Sequence, residues 1–154
     1  MTHAESNQTI SNLILQVVPF AAAQSAIRSI RYQVFHVEQG VALDIDFDGL
    51  DEASMHVVAY QADQAVGTTR IRMLTDRLAK IERVAVLSVH RGRGLGKMLM
   101  TTAVDYLDQQ AIPEIKLNAQ MQVKAFYEKL GFVPYGEPFD EAGILHIEMR
   151  RSLQ

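Results

Sequence analysis

The chain has 154 residues, of which 48% are hydrophobic and 21% charged, and its formal net charge is −3. That length and composition fit one globular domain with a sizeable core and exclude a disordered chain. The acidic balance excludes a general nucleic-acid footprint, and the lack of any cysteine excludes disulfides, thiolate zinc sites and cysteine nucleophiles.

Residues 1–11 read as a flexible tail, polar and without the basic-then-apolar pattern of a secretion signal. Residues 12–154 form the expected domain. Leu13–Phe20 predicts a first strand. Residues 21–38 predict a helix, with Ile27, Ile30, Val34 and Phe35 at helical spacing and Gly40 as its stop. Asp44–Glu52, DIDFDGLDE, is an acidic loop. His56–Ala62 and Ala65–Leu74, rich in Val, Thr and Ile, predict paired strands. Lys80–Leu87 predicts another strand, and a glycine-rich turn over 91–96 follows. The next helix, about 95–110, carries an apolar stripe of Leu95, Met98, Leu99, Ala103, Tyr106 and Leu107. Ile115–Ala119 alternates as a strand does, Val123–Leu130 is a short helix closed by Gly131, and 134–138 and 143–149 finish the sheet. Strands and helices alternate in the second half, so part of the sheet is expected to be parallel. The expected architecture is a single α/β (α+β) domain: a mixed sheet of about seven strands flanked by helices. No apolar run approaches the ~20 residues that cross a bilayer, so a cytoplasmic location without membrane contact is expected.

The stretch Ile81–Leu99, IERVAVLSVHRGRGLGKML, carries the chemistry. A strand enters a turn with Gly92, Gly94 and Gly96, and a helix leaves it. Glycines let the backbone approach a ligand and turn its N–H groups outward. The helix N-terminus adds unpaired donors and the positive end of a dipole. Arg91, Arg93 and Lys97 bring three cations to the same point, so Arg91, Gly92, Arg93, Gly94, Leu95, Gly96 and Lys97 form a candidate diphosphate pocket. A P-loop needs Ser or Thr where Met98 stands, and a Rossmann loop needs GxGxxG with an acid ending a strand ~20 residues on, whereas here the spacing is GxGxG and Glu114 precedes the next strand. The plain alternative is a tight strand-to-helix turn with surface cations. DxDxDG at Asp44–Gly49 suggests a calcium loop, but Met55 occupies the position where Glu is needed and a flanking helix is missing. His3, His36, His56, His90 and His146 show no metal-ligand spacing, and no metal is expected.

Arg91-x-x-Gly94-x-Gly96 resembles the Q/R-x-x-G-x-G/A signature of the GNAT superfamily of N-acetyltransferases. The likeness continues through LNAQ at 117–120 and AFYEKLGF at 125–132 and covers roughly residues 13–150. VFHVEQ at 34–39, the acidic loop and GILH at 143–146 resemble the ElaA/YjcF-type bacterial branch.

The resemblance implies acetyl-CoA as co-substrate, held in a cleft between splayed strands, and transfer of its acetyl group to an amine of a small molecule or peptide. Val84, Ala85 and Val86 would offer main-chain groups to the pantetheine arm, and Asn118 would line the same groove. Tyr127 is the implied acid for the departing thiolate, since a phenol stays protonated at neutral pH. An alkyl amine is only ~0.04% unprotonated at pH 7, and Glu82 is the implied base. Paired surface carboxylates and packed tyrosines are the bland readings of these two residues. The acidic loop reads either as a solvated loop or as an attractor of cationic amines. His146 is a candidate for the acceptor pocket, and Gly143–Met149 for pairing across a homodimer. The alternatives are a non-catalytic acyl-CoA-binding regulatory domain and an acyl-homoserine-lactone synthase, the latter disfavoured because the chain lacks tryptophan.

Overall fold

The computed structural model describes residues 12–153. The tail expected over residues 1–11 lies outside them. Strands β1 (Leu13–Pro19), β2 (Met55–Gln61), β3 (Gln64–Met73), β4 (Leu78–Val86), β5 (Glu114–Gln120), β6 (Val133–Pro134), β7 (Phe139–Glu141) and β8 (Ile144–Ser152) form one sheet. Its order is β1-β2-β3-β4-β5-β8-β6, with β7 also on β8. All pairs are antiparallel except β4–β5. The sequence predicts about seven strands; the eighth arises because residues 134–138 do not make one. Pro134 and Pro138 bracket the segment and Gly136 lies at φ +85°, so a continuous ladder is lost between β6 and β7.

Helix α1 (Gln24–Arg31) follows a 3-10 turn and runs into a π-helical stretch, Tyr32–Glu38. The predicted single helix over 21–38 is therefore three pieces. A four-residue helix α2 (Leu43–Asp46) sits within the acidic segment. Helix α3 (Leu95–Gln109) buries Leu95, Leu99, Met100, Ala103, Val104 and Leu107, close to the stripe read from sequence. It packs against β1–β4 over a core that includes Val57, Val66, Ile81, Ile115, Leu117 and Met149. α1 covers the opposite face of β3 and β4 through Ile27 and Ile30. The short α4 (Lys124–Glu128) closes the far end.

The acidic segment is solvated only in part: Asp44, Asp48 and Glu52 are exposed, whereas Asp46 and Asp51 are buried. Arg31 and Arg70 are 1% and 0% exposed, and both are held by its carboxylates. Asp51 Oδ1 accepts from Arg31 Nη1 and from Arg70 Nη1 at 3.0 Å. Asp48 takes Arg70 in a two-pronged bond at 2.8 Å and 2.8 Å. Asp46 Oδ1 accepts from Arg31 Nε at 3.1 Å and pairs with Arg83 at 3.1 Å. His56 donates its Nε2–H to the Asp51 carbonyl at 3.0 Å. Three carboxylates thus meet three arginines beneath α1. An isolated buried charge costs several kcal/mol, and mutual pairing is what offsets it. The expectation of a cation-attracting loop is corrected accordingly for Asp46, Asp48 and Asp51.

The network fixes an irregularity in β4. Thr68 faces Ala85 and Arg70 faces Glu82, so Arg83 and Val84 together oppose Thr69 alone. Arg83 lies at φ +58°, a conformation that costs a non-glycine residue about 1–3 kcal/mol. Its side chain compensates: it bonds the carbonyls of Ile45 at 3.0 Å and Asp46 at 3.3 Å and the Asp48 carboxylate at 3.1 Å. Thr69 Oγ1 donates to the Glu82 carbonyl at 2.9 Å across the bulge. On its other edge β4 parts from its neighbour just before the bulge: β5 pairs with β4 only from Leu78↔Glu114 to Lys80↔Lys116.

Replacing Arg70 by Met leaves Asp48, Asp51 and Glu82 short of a buried counter-charge, so urea unfolding is expected to show a loss of about 3–5 kcal/mol. Stability also depends on pH with a definite sign. Burial holds the His56 imidazole below its ordinary range, more strongly than Asp51 raises it. The unfolded chain therefore takes up a proton there first, and stability falls as pH drops below about 6.5. The hydrogen bond from Arg70 holds Asp48 well down; burial pushes Asp51 up, but Arg31 and Arg70 outweigh it. These carboxylates add a second loss below about pH 4. Urea midpoints between pH 8 and 3 are expected to show both stages in the native chain and only the lower one in His56→Gln.

Candidate active site

The parting of β4 and β5 after Lys80 and Lys116 opens a gap through the sheet. Three groups of residues border it: the turn after β4, the helix α4, and the polar face of β4 and β5.

At the turn, Gly92 and Gly94 lie at φ +80° and +79°. A Cβ at either would meet nothing within 4 Å, so glycine is required there by the backbone and not by crowding. Gly94 is the N-cap of α3 and no side chain caps it. The first α3 hydrogen bond runs from the Met98 N–H to the Gly94 carbonyl at 3.0 Å. The N–H groups of Gly92–Lys97 donate to no carbonyl among the described residues. Such a run of free amides at a helix N-terminus fits an anionic, phosphate-sized ligand. Two of the three cations at the turn have protein partners. Arg91 pairs with Glu38 at 2.8 Å and donates Nε–H to the Val86 carbonyl at 3.0 Å. Arg93 donates to Gln61 and to His90 Nδ1, each at 2.7 Å. Lys97 alone of the three has no such partner among the described residues. Arg91 thus acts as a strut from the end of β4 to the π-helical segment. Among Val84, Ala85 and Val86, all on the strand past the bulge, the Val86 carbonyl is already taken.

Helix α4 lies beside the turn: a Cβ on Gly96 would sit 3.7 Å from Phe126 Cζ. Tyr127, on the next position, packs edge-on to Phe126 and Phe132 with centroids 5.0 and 6.3 Å away. It touches the core on the α3 side of the sheet. Its hydroxyl bonds no described residue, and burial pushes its pKa up to about 12. It is therefore a fully protonated donor at neutral pH, on the short helix that follows β5.

Glu82 occupies the other face. It is 8% exposed and ringed by cations: Arg72 Nε at 2.6 Å, Arg70 at 3.0 Å, Lys80 at 3.5 Å and Arg83 at 3.7 Å. Burial pushes its carboxyl up, but the Arg72 hydrogen bond and the charges of Arg70 and Lys80 outweigh it and hold it low. A carboxylate held low is a weak proton acceptor, since bases work best with pKa near the operating pH. Asn118 shares this face on β5, opposite Glu148, and its Oδ1 is buried without a hydrogen-bond partner among the described residues. His146 opposes Gln120 two residues further along. It donates Nδ1–H to the Ile144 carbonyl at 2.7 Å, with Glu141 3.6 Å from Nε2.

The sequence reading missed the network behind this face. Arg31 stands four residues after Ile27, on the buried side of the helix, and Arg70 lies mid-strand in TTRIRM, with Thr68 and Arg72 two positions away on either side. Those two arginines beside a segment with five acids were the available signal. A separate open hollow of ≈ 420 Å³, lined by Phe20, Arg28, Phe47, Gly49, Asp51 and Glu52, shares no residue with the gap. Among the described residues no cluster of His, Asp and Glu is arranged to hold a metal, and no helix is long and apolar enough to cross a membrane.

Residues 10–153 match the family model described as acetyltransferase (GNAT) domain. YjcF of Bacillus subtilis (strain 168), an uncharacterized N-acetyltransferase, is 36% identical over 124 residues, 80% of this chain and 88% of its own. ElaA of Escherichia coli (strain K12) is 33% identical over 132 residues, 83% and 86% of the two chains. The crystal structure of Escherichia coli ElaA superposes with a TM-score of 0.82 over 91% of this chain and 99% of that one. The crystal structure of an acyl-CoA N-acyltransferase from Pseudomonas aeruginosa gives a TM-score of 0.83 at 30% identity, over 91% and 99%.

Gly94→Ala forces a side chain into the left-handed region and costs about 1–2 kcal/mol, and the amides beside it shift. Calorimetry with CoA is expected to show at least about tenfold weaker binding for Gly94→Ala, and a smaller loss that shrinks with added salt for Lys97→Gln.

Proposed function

Because this chain belongs to the GNAT acetyltransferase family, we propose that it transfers the acetyl group of acetyl-CoA to a primary amine by direct attack within a ternary complex. One observation carries the reading: the strands part between a turn of unpaired amides and a tyrosine hydroxyl that bonds no described residue. A binding module needs the turn but has no use for the hydroxyl.

In this reading the amides of Gly92–Lys97 bind the diphosphate of acetyl-CoA, with Lys97 adding charge. Main-chain groups of the Val84–Val86 stretch that face away from β3 orient the pantetheine arm, and the bulge at Arg83 keeps the gap wide enough to admit it. A backbone N–H of this strand polarises the thioester carbonyl. The amine nitrogen attacks that carbon from the Glu82–Asn118 side; a C–N bond forms and the C–S bond breaks. Tyr127 gives its proton to the leaving sulfur from the opposite face. The amine's proton passes to water held by Glu82, whose role is to orient and accept a hydrogen bond more than to act as a strong base. Holding both reactants in line contributes much of the acceleration.

The test is thiol release from acetyl-CoA across polyamines, aminosugars, amino acids and peptides. Tyr127→Phe is expected to lower kcat by about 10²–10⁴-fold while leaving the Kd for acetyl-CoA within a factor of about two. Binding of acetyl-CoA with no acceptor raising thiol release would point instead to a regulatory acyl-CoA binder. Equal loss of kcat and affinity in Tyr127→Phe would remove the proposed acid role.

A further inference from the structure

The charge on the acceptor side of the gap is distributed unlike what the sequence suggests. On one face of the sheet, Arg72 is paired with Lys80, Lys80 with Lys116, and Lys116 with Arg150. Residues directly opposite each other project to the same face, so four cations stand in one row across β3, β4, β5 and β8. Like charges placed opposite one another destabilise a sheet, so folding gains nothing from this row. Their counter-charges are few. Glu82 is shared by Arg72 and Lys80 and also by Arg70 and Arg83. Glu148 serves Lys116 at 3.2 Å and Arg150 at 2.7 Å. Glu114 lies 3.8 Å from Arg150 at the sheet's end. Meanwhile Asp46, Asp48 and Asp51 are consumed by Arg31, Arg70 and Arg83, so they offer nothing to a cation. The row is also accessible: its four side chains are between 16% and 26% exposed.

Its place is what matters. Lys80 and Lys116 are the last paired rung before the strands part, and the next residues on the same face are Glu82 and the unsatisfied Asn118. We propose that the row Arg72, Lys80, Lys116 and Arg150 docks an anionic group of the acceptor, so that the substrate is an amine carrying a carboxylate or phosphate. This rests on the acetyl-transfer reading and names its substrate class. The Asn118 carbonyl oxygen then accepts an N–H of the incoming amine. The surrounding cations also disfavour an ammonium, which raises the share of free amine that can attack the thioester.

The test measures thiol release from acetyl-CoA, with each rate taken per share of free amine, for acceptors with and without the anion: leucine and isopentylamine, phenylalanine and phenethylamine, glucosamine 6-phosphate and glucosamine. The anionic member of at least one pair is expected to show kcat/KM higher by about tenfold or more, and the arm that responds tells carboxylate from phosphate. In Lys116→Met and in Arg150→Met that ratio should collapse toward one, and Lys116→Arg should restore it. Preference for the uncharged members, or for a polyamine such as spermidine, overturns the proposal. If no acceptor is turned over, the transfer reading fails by itself, and binding decides the anion site. Magnetic-resonance titration of the CoA-loaded protein with N-acetylleucine and with N-isopentylacetamide should then show carboxylate-dependent binding that Lys116→Met abolishes. Equal binding of the two compounds overturns the site.

Discussion

One residue held in an unfavourable conformation organises this molecule. Arg83 adds an extra position to β4 at φ +58°, three residues past Lys80, the last residue at which β4 pairs with β5. A bulge of this kind bends its strand and ends pairing on one side. Arginine is a poor choice for the left-handed region on backbone grounds alone, where glycine is the usual occupant. Its side chain explains the choice. It reaches two carbonyls and a carboxylate of the acidic segment, so the bulge is bolted to a neighbour instead of being left to relax.

The bolt needs its own support. Asp46 and Asp48 can serve Arg83 only because Arg31 and Arg70 hold the same carboxylates from beneath. Buried ion pairs seldom improve stability over a well-packed apolar core. Here their value is geometric: they fix where the acidic segment lies against the sheet, and with it the angle of the gap. The Arg91–Glu38 pair does a similar job at the rim, tying the end of β4 to the π-helical segment. The groups proposed to act on acetyl-CoA are sparsely bonded. Tyr127, the amides of Gly92–Lys97 and the oxygen of Asn118 lack protein partners among the described residues, as groups do when a ligand is their partner.

Much of this was readable in the sequence. Apolar spacing placed α3 and the long strands, and the glycines at 92 and 94 announced a turn whose backbone only they adopt without cost. FYEKLGF beside that turn carried the family. What periodicity could not show was pairing across distance. DIDFDGLDE looks like a solvated loop because its partners, Arg31, Arg70 and Arg83, lie in three other elements. Arg83 reads as an ordinary strand residue, since one-residue insertions leave no mark in a β pattern that still alternates on either side. The charge of Glu82, the residue expected to act as the base, was hidden for the same reason: its neighbours in space, not in sequence, hold its carboxyl low. The sequence likewise gives no sign that Arg91 and Arg93 have Glu38, Gln61 and the Val86 carbonyl beside them.

If the inserted residue is what opens the sheet, removing it should close it. A variant lacking Arg83 restores one-to-one pairing between β3 and β4 and lets β4 continue beside β5. Calorimetric titration with CoA, alongside a melting curve, reads both consequences. The account predicts a folded protein with a cooperative transition and no measurable CoA affinity. A folded variant that binds CoA as tightly as the native chain would contradict it.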